Sequence, residues 1–143
     1  MHYLLLSCSN KKTWSSNPVK AIDLYNGVFF SVYKKALRNN PSLEGKLKLL
    51  IISAKYGLIE DSEMISYYDQ KMTETVAFQQ QANNSLKLQS LVERDQPQSI
   101  VVAMGKMYLK SIDLSNLSIP ICLIQGEIGE MLHGLKTWLE SIE

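Results

Sequence analysis

The sequence predicts one α/β domain of three layers, α/β/α, with helices on both faces of a four-stranded, mostly parallel sheet. Three observations predict it. Four short runs, Tyr3–Leu6, Leu47–Ser53, Ser99–Met104 and Ile119–Ile124, are apolar enough to be strands covered on each face by helices. Segments with apolar residues at helical spacing separate them. Strand and helix alternate through the whole chain, the order from which parallel sheets with right-handed crossovers are built.

Each element has its own signal. After the first strand Asn17-Pro18 marks a turn. Leu24, Tyr25, Val28, Phe29, Val32, Tyr33, Ala36 and Leu37 then recur at helical spacing up to Asn39-Asn40-Pro41. The second strand leaves through Ala54-Lys55-Tyr56-Gly57. Residues 58 to 72 show no period but carry Asp61, Glu63, Tyr67, Tyr68 and Asp69, so a long functional loop is expected there. Thr73 is placed to cap a helix running to about Arg94. The third strand runs into Gly105-Lys106-Met107-Tyr108, the start of a short helix. The fourth, with Cys122 expected in the core, runs into Gln125-Gly126-Glu127-Ile128-Gly129, which opens a last helix carrying Met131, Leu132, Leu135, Trp138 and Leu139.

At 143 residues and 45% hydrophobic content the chain suits one core and is short for two. No apolar run approaches the roughly 18 residues that span a bilayer, and Met1-His2-Tyr3 runs into a strand without a basic leader, so a cytoplasmic protein with no membrane partner is expected. Two cysteines far apart and two histidines argue against a disulfide framework or a metal site. No glycine pattern for ATP or a dinucleotide occurs, so no cofactor is expected. Net charge is +1, but residues 1–58 hold nine Lys/Arg against two acids, whereas residues 59–143 hold six against twelve. The amino-terminal half at +7 suits a phosphate-bearing partner, unless its lysines merely solvate helix faces.

Right-handed crossovers bring all four strand exits to one edge of the sheet, where α/β proteins bind ligands. Ser7-Cys8-Ser9-Asn10-Lys11-Lys12-Thr13-Trp14-Ser15 is the most polar of them, and paired lysines are not what a plain turn requires. Lys12, beside Lys11 and near Lys55, is either a nucleophile whose charged form is disfavoured by like charge or a phosphate-binding point charge. Cys8 is a lysine-activated thiolate or a packed side chain. Ser53, Lys55, Tyr56 and Gly57 form a second cluster, in which Gly57 would let a ligand approach the backbone. Asp61 and Asp69 would activate water or cap turns, and Tyr25 and Tyr68 would stack on a base or pack. Helix starts at Gly105 and Gly126 would offer N–H groups to an anion.

The segments Cys8-Ser9-Asn10-Lys11-Lys12 with Ser15, Ala21-x-Asp23-Leu24-Tyr25-x-Gly27-x-x-Phe30, Ser53-Ala54-Lys55-Tyr56-Gly57-Leu58-Ile59 and Ile65-x-x-Tyr68-Asp69 together resemble small relatives of the YaaA-type peroxide-stress proteins. Such proteins carry a similar Ser-x-x-Tyr-Gly-Leu block followed by Ile-x-Pro-Tyr, with Tyr67 here in place of the proline. The first segment is also similar to a motif of archaeosine synthase at Cys8, Lys12 and Ser15. The resemblance spans about residues 3 to 135. It implies a uracil-DNA-glycosylase-like fold and a surface for nucleic acid, DNA in preference to RNA, or for a nucleotide. Handling of a base, by N-glycosidic or base-exchange chemistry, is one expectation, with Lys12 and Asp61 catalytic and Cys8, Ser9, Asn10, Lys11, Tyr25, Ser53, Lys55, Tyr56, Gly57, Tyr68, Gly105 and Gly126 binding. A non-catalytic DNA-binding stress module is the other.

Overall fold

The computed structural model describes residues 1–142 and builds its central sheet from five strands. In chain order the elements are β1 (His2–Ser7), β2 (Val19–Lys20), α1 (Ala21–Leu24), α2 (Val28–Asn39), a 3-10 turn (Pro41–Gly45), β3 (Leu47–Ser53), β4 (Gly57–Glu60) and β5 (Met64–Ile65). Then follow α3 (Glu74–Asp95), β6 (Ile100–Ala103), α4 (Lys106–Leu109), β7 (Ile121–Leu123) and α5 (Ile128–Ser141). The sheet order is β4-β3-β1-β6-β7, with β4 antiparallel to β3 and the other pairs parallel. The chain thus winds outward from β1 to β3 and from β6 to β7, which makes the gap between β1 and β6 the point where winding reverses.

Two-sided strands give two cores. Leu4, Leu6, Leu49, Ile51, Val101 and Ala103 pack against Phe30 and Tyr33 of α2 and Met131, Leu135 and Leu139 of α5. Tyr3, Leu5, Leu50, Ile52, Ile100 and Val102 pack on Leu88 and Leu91 of α3. Those strand residues are almost entirely removed from water, and each contributes roughly 1.5–3 kcal/mol by burial. Three layers result, as the alternation of strands and helices requires.

Thr73 caps α3 as expected, its hydroxyl accepting from the Val76 N–H at 3.2 Å. The other end of α3 is fastened to the sheet. The Tyr3 hydroxyl shares its one proton between the Leu91 carbonyl at 2.7 Å and Asp95 at 2.6 Å, and Lys48, Glu60 and Arg94 extend these contacts into an ion-pair network. The hydrogen bond from Arg94 holds the Asp95 carboxyl well below the usual range.

Four features depart from the sequence expectation. A fifth strand, β4, arises where an exit and a loop were expected, because Gly57 at φ +72 turns the chain back along β3. The start of the remaining loop pairs as β5 with β2 in a two-stranded ribbon. The helix expected from Leu24 is broken at Tyr25–Gly27, where Lys12 forms an isolated bridge with Tyr25. Finally β7 is an edge strand with Cys122 exposed, so the expectation of Cys122 in the core is corrected: apolar residues beyond β6 have a neighbour on one side only.

Candidate functional site

The carboxyl ends of β1, β3, β6 and β7 lie at one edge, since those strands run parallel. The β1 exit is a fixed loop. Asn26 N–H donates to the Lys11 carbonyl and Thr13 N–H to the Leu24 carbonyl, both at 2.8 Å. The Ser9 hydroxyl donates to the Lys11 carbonyl at 2.7 Å and accepts from Gly27 N–H at 3.1 Å. Gly27 is required here, because a Cβ on it would lie 2.5 Å from the Ser9 Cβ. So pinned, the loop sets the Lys12 ammonium 4.6 Å from the centroid of the Tyr68 ring, at cation–π distance.

The β3 exit is fixed as tightly. Buried Ser53 accepts at Oγ from the N–H groups of Lys55 (3.2 Å) and Tyr56 (3.0 Å), which leaves its hydroxyl proton to donate to the Tyr68 hydroxyl at 2.8 Å. Tyr68 and Tyr25 share a further bond of 2.7 Å between hydroxyls. Tyr56 meets the Tyr68 ring edge-on at 5.5 Å, and the Lys55 ammonium lies 5.3 Å from the Tyr56 ring. Lys12 and the Ser53–Gly57 block therefore meet around Tyr68. Three buried hydroxyls, three rings and two amines are joined there.

Its electrostatics are one-sided. Burial pushes the Tyr25 phenol up to about 12 and that of Tyr68 higher still, so both stay neutral near pH 7. Lys11, Lys12 and Lys55 make no ion pair with any described residue. The edge thus offers lysine amines on a rigid aromatic floor and, among the described residues, keeps no carboxylate paired to them.

Other expected site residues are placed differently. Asp61 is not at this edge. Its N–H bonds the Leu49 carbonyl, four residues back along β3 from Ser53 and so about 13 Å away at ~3.3 Å per residue, because β4 carries the chain in reverse. Asp61 lines a cleft with Tyr33, Glu44 and Lys48, where burial raises its carboxyl above the usual range. Tyr25 is wholly buried and stacked on Phe30 at 5.4 Å, so it has no face for a base, and Tyr68 is nearly buried as well. Gly57 does not open the backbone to a ligand: a Cβ there would lie 2.7 Å from Oδ1 of Asn84, which itself accepts from Leu58 N–H at 2.8 Å. The helix start at Gly126 is closed to anions, since Glu127 and Glu130 form a capping box over it, and Gly105 precedes a helix of only four residues.

Cys8 is 9% exposed and lies just past the end of β1, with its sulfur 3.2 Å from the Tyr108 hydroxyl of α4 and 3.4 Å from the Ala54 nitrogen at the β3 exit, whose N–H donates to it. Asn10 and Lys11 are exposed beside it. The sequence reading missed the aromatics that do face solvent. Trp14 is 71% exposed, two residues past Lys12, and Tyr67 is 40% exposed next to Tyr68. A tryptophan inside a polar loop, outside any helical or strand period, is the signal that could have found them. The sequence reading also missed Gln80, whose amide donates to the Ser53 and Ala54 carbonyls at 3.0 Å. Three clefts lie elsewhere: one of 330 Å³ between α2 and α5, and two at the opposite end of the sheet around Met1. Among the described residues no cluster of His, Cys, Asp and Glu is fit to hold a metal ion, and no helix is long and apolar enough to cross a membrane.

A three-layer α/β protein with a lysine and tyrosine cluster at the carboxyl edge of its sheet is the class that fold and geometry define. The chain belongs to the family of unknown function DUF6884, whose profile matches residues 3–137. No curated protein matches it.

Proposed function

We propose that this chain binds nucleic acid, DNA in preference to RNA, or a nucleotide, at the edge formed by the Ser7–Ser15 loop and the Ser53–Gly57 turn. The observation that carries the reading is the Lys12 ammonium seated over the Tyr68 ring without an acidic ion-pair partner, with Lys11 and Lys55 exposed nearby. Charges left unpaired on a rigid scaffold attract phosphate and release counterions when it binds. Exposed Trp14 and Tyr67 supply faces on which a base can stack. The resemblance to YaaA-type proteins points the same way, and from it come the preference for DNA and a place in the stress response.

Binding is favoured over base-removing chemistry. Such a reaction needs a carboxylate beside the sugar to activate water or stabilise an oxocarbenium-like centre, and Asp61 lies far along β3, which leaves that role to exposed Asp69 next to Tyr68. Lys12, held over the Tyr68 ring on a pinned loop, is placed as a point charge for phosphate. Anisotropy of a labelled oligonucleotide, titrated from low to high salt, tests the reading. Salt-sensitive binding weakened by Lys12→Ala and Lys55→Ala supports it, and absence of binding to DNA, RNA and nucleotides alike sinks it. Borohydride added to the same mixtures reports on covalent chemistry: an adduct lost in Lys12→Ala would replace the binding module with a lysine nucleophile.

A further inference from the structure

The two outer edges of the sheet are finished differently. On β4 the N–H groups of Leu58 and Glu60 point away from β3, as the ladder phase shows, since Asp61 N–H reaches inward to the Leu49 carbonyl. Both outward donors are taken by side chains, Leu58 by Asn84 at 2.8 Å and Glu60 by Glu63. Charged Glu60 ends the strand and Asp61 follows it, so this edge is blunted in the ways by which proteins prevent strand addition. On β7 nothing comparable occurs.

The Pro120 carbonyl accepts from Ile100 N–H at 3.0 Å, and Ile124 N–H donates to the Val102 carbonyl at 2.8 Å, so Pro120, Cys122 and Ile124 face β6. Ile121 and Leu123 therefore aim their N–H and C=O groups outward. No backbone or side-chain hydrogen bond from a described residue meets them. Pro120, the residue that would blunt an edge by lacking a donor, sits in the phase that faces inward and removes nothing from the open side. Residues 118–126 contain no charge, Cys122 is exposed and Leu123 is 43% exposed.

We propose that β7 pairs antiparallel with β7 of a second copy of this chain, joining two five-stranded sheets into one. The strand is self-complementary about Cys122. A two-fold axis there sets Ile121 opposite Leu123 of the copy, so that all four outward groups of each strand are matched in four N–H···O bonds with none left over. An uncharged edge meets its own copy without like-charge repulsion, whereas the charged β4 edge does not. Cys122 then faces Cys122 of the copy in the non-hydrogen-bonded position, where Cα atoms are roughly 4.5 Å apart, within disulfide range.

The full chain is tested by light scattering over a concentration series and by brief oxidation with diamide, which takes two hydrogens from two thiols as one S–S bond forms. The expected result is a concentration-dependent dimer and a disulfide-linked dimer on a non-reducing gel. The linked form is lost in Cys122→Ser and kept in Cys8→Ser. Leu123→Lys, at an exposed position, abolishes the dimer by light scattering and the cross-link while circular dichroism stays unchanged. Cys122→Glu gives the same loss of dimer mass by an independent change. A monomer at every concentration, or a dimer and cross-link indifferent to Leu123→Lys and Cys122→Glu, overturns the proposal. Nucleic-acid binding at the carboxyl edge enters none of these readouts.

Discussion

At the scale of single residues, the site is a set of neutral hydroxyls beneath unpaired amines, and both halves give predictions. Ser53 satisfies two backbone N–H groups and donates to Tyr68 from a fully buried position. Ser53→Ala leaves the Lys55 and Tyr56 N–H groups without that acceptor and Tyr68 with its Tyr25 bond alone, and its expected cost is about 1–3 kcal/mol in urea denaturation. A fall in stability below ~0.5 kcal/mol would mean that the turn stands without it. Tyr25 carries a pH dependence whose sign follows from burial. Its phenol ionises near 10 in the unfolded chain and at about 12 in the fold, so its contribution is complete below pH 10 and is lost as pH rises from 10 towards 12. Stability measured from pH 9 to 11.5 should fall, and less steeply in Tyr25→Phe. The chemistry of these residues is readable in the sequence but their exposure is not: Lys12, Ser53 and Tyr68 stand out by residue type and position, yet nothing in the letters distinguishes buried Tyr68 from exposed Tyr67. The two are neighbours in one loop, and bonds to the Ser53 and Tyr25 hydroxyls, 15 and 43 positions away, draw Tyr68 inward.

Among elements, the turns that aim the lysines matter more than the strands that precede them. Gly27 and Gly57 each occupy a place where a methyl group has no room, against Ser9 and Asn84 respectively, and Gly57 also needs its positive φ. Gly57→Ala is expected to lower stability by more than ~1 kcal/mol, since strain adds to the close approach. In Gly27→Ala the Ser7–Ser15 loop must shift, so loss of oligonucleotide affinity should exceed what the drop in melting temperature explains. Equal affinity at temperatures where both proteins are folded would contradict that role. The three parallel strands of the buried sheet are legible because an aliphatic run bounded by polar exits suits a buried strand and little else, and Thr73 announces its helix by capping chemistry. The β4 strand is not legible. It has only four residues, follows its partner by a tight turn, and is stabilised by Asn84, which lies 26 positions beyond the residue it caps. Asp61 is misplaced for the same reason, because reading Gly57 as a ligand approach instead of a turn keeps the chain at the wrong end of the sheet.

For the molecule as a whole, sheet topology turns a nearly neutral chain into an asymmetric one. Parallel strands place the Lys11, Lys12 and Lys55 exits together, while Glu60, Asp95, Lys48 and Arg94 neutralise one another away from that edge. Binding should therefore lose affinity linearly with the logarithm of salt concentration, and removal of Lys12 or Lys55 should each reduce the slope by roughly 1. Identical slopes in the wild type and the double variant would exclude phosphate contact at this edge. The sequence asymmetry hints at such a surface but overstates its extent, since Lys34 is spent on the Tyr25 carbonyl at 3.1 Å and Lys48 on Glu60 and Asp95. The most direct test of the central claim is photo-cross-linking to an oligonucleotide bearing 5-bromouracil, with the modified peptides located by mass spectrometry. Adducts within residues 8–15 and 53–69, Trp14 foremost, are the predicted result. Adducts confined to the cleft between α2 and α5, around Lys35 and Lys136, would contradict it.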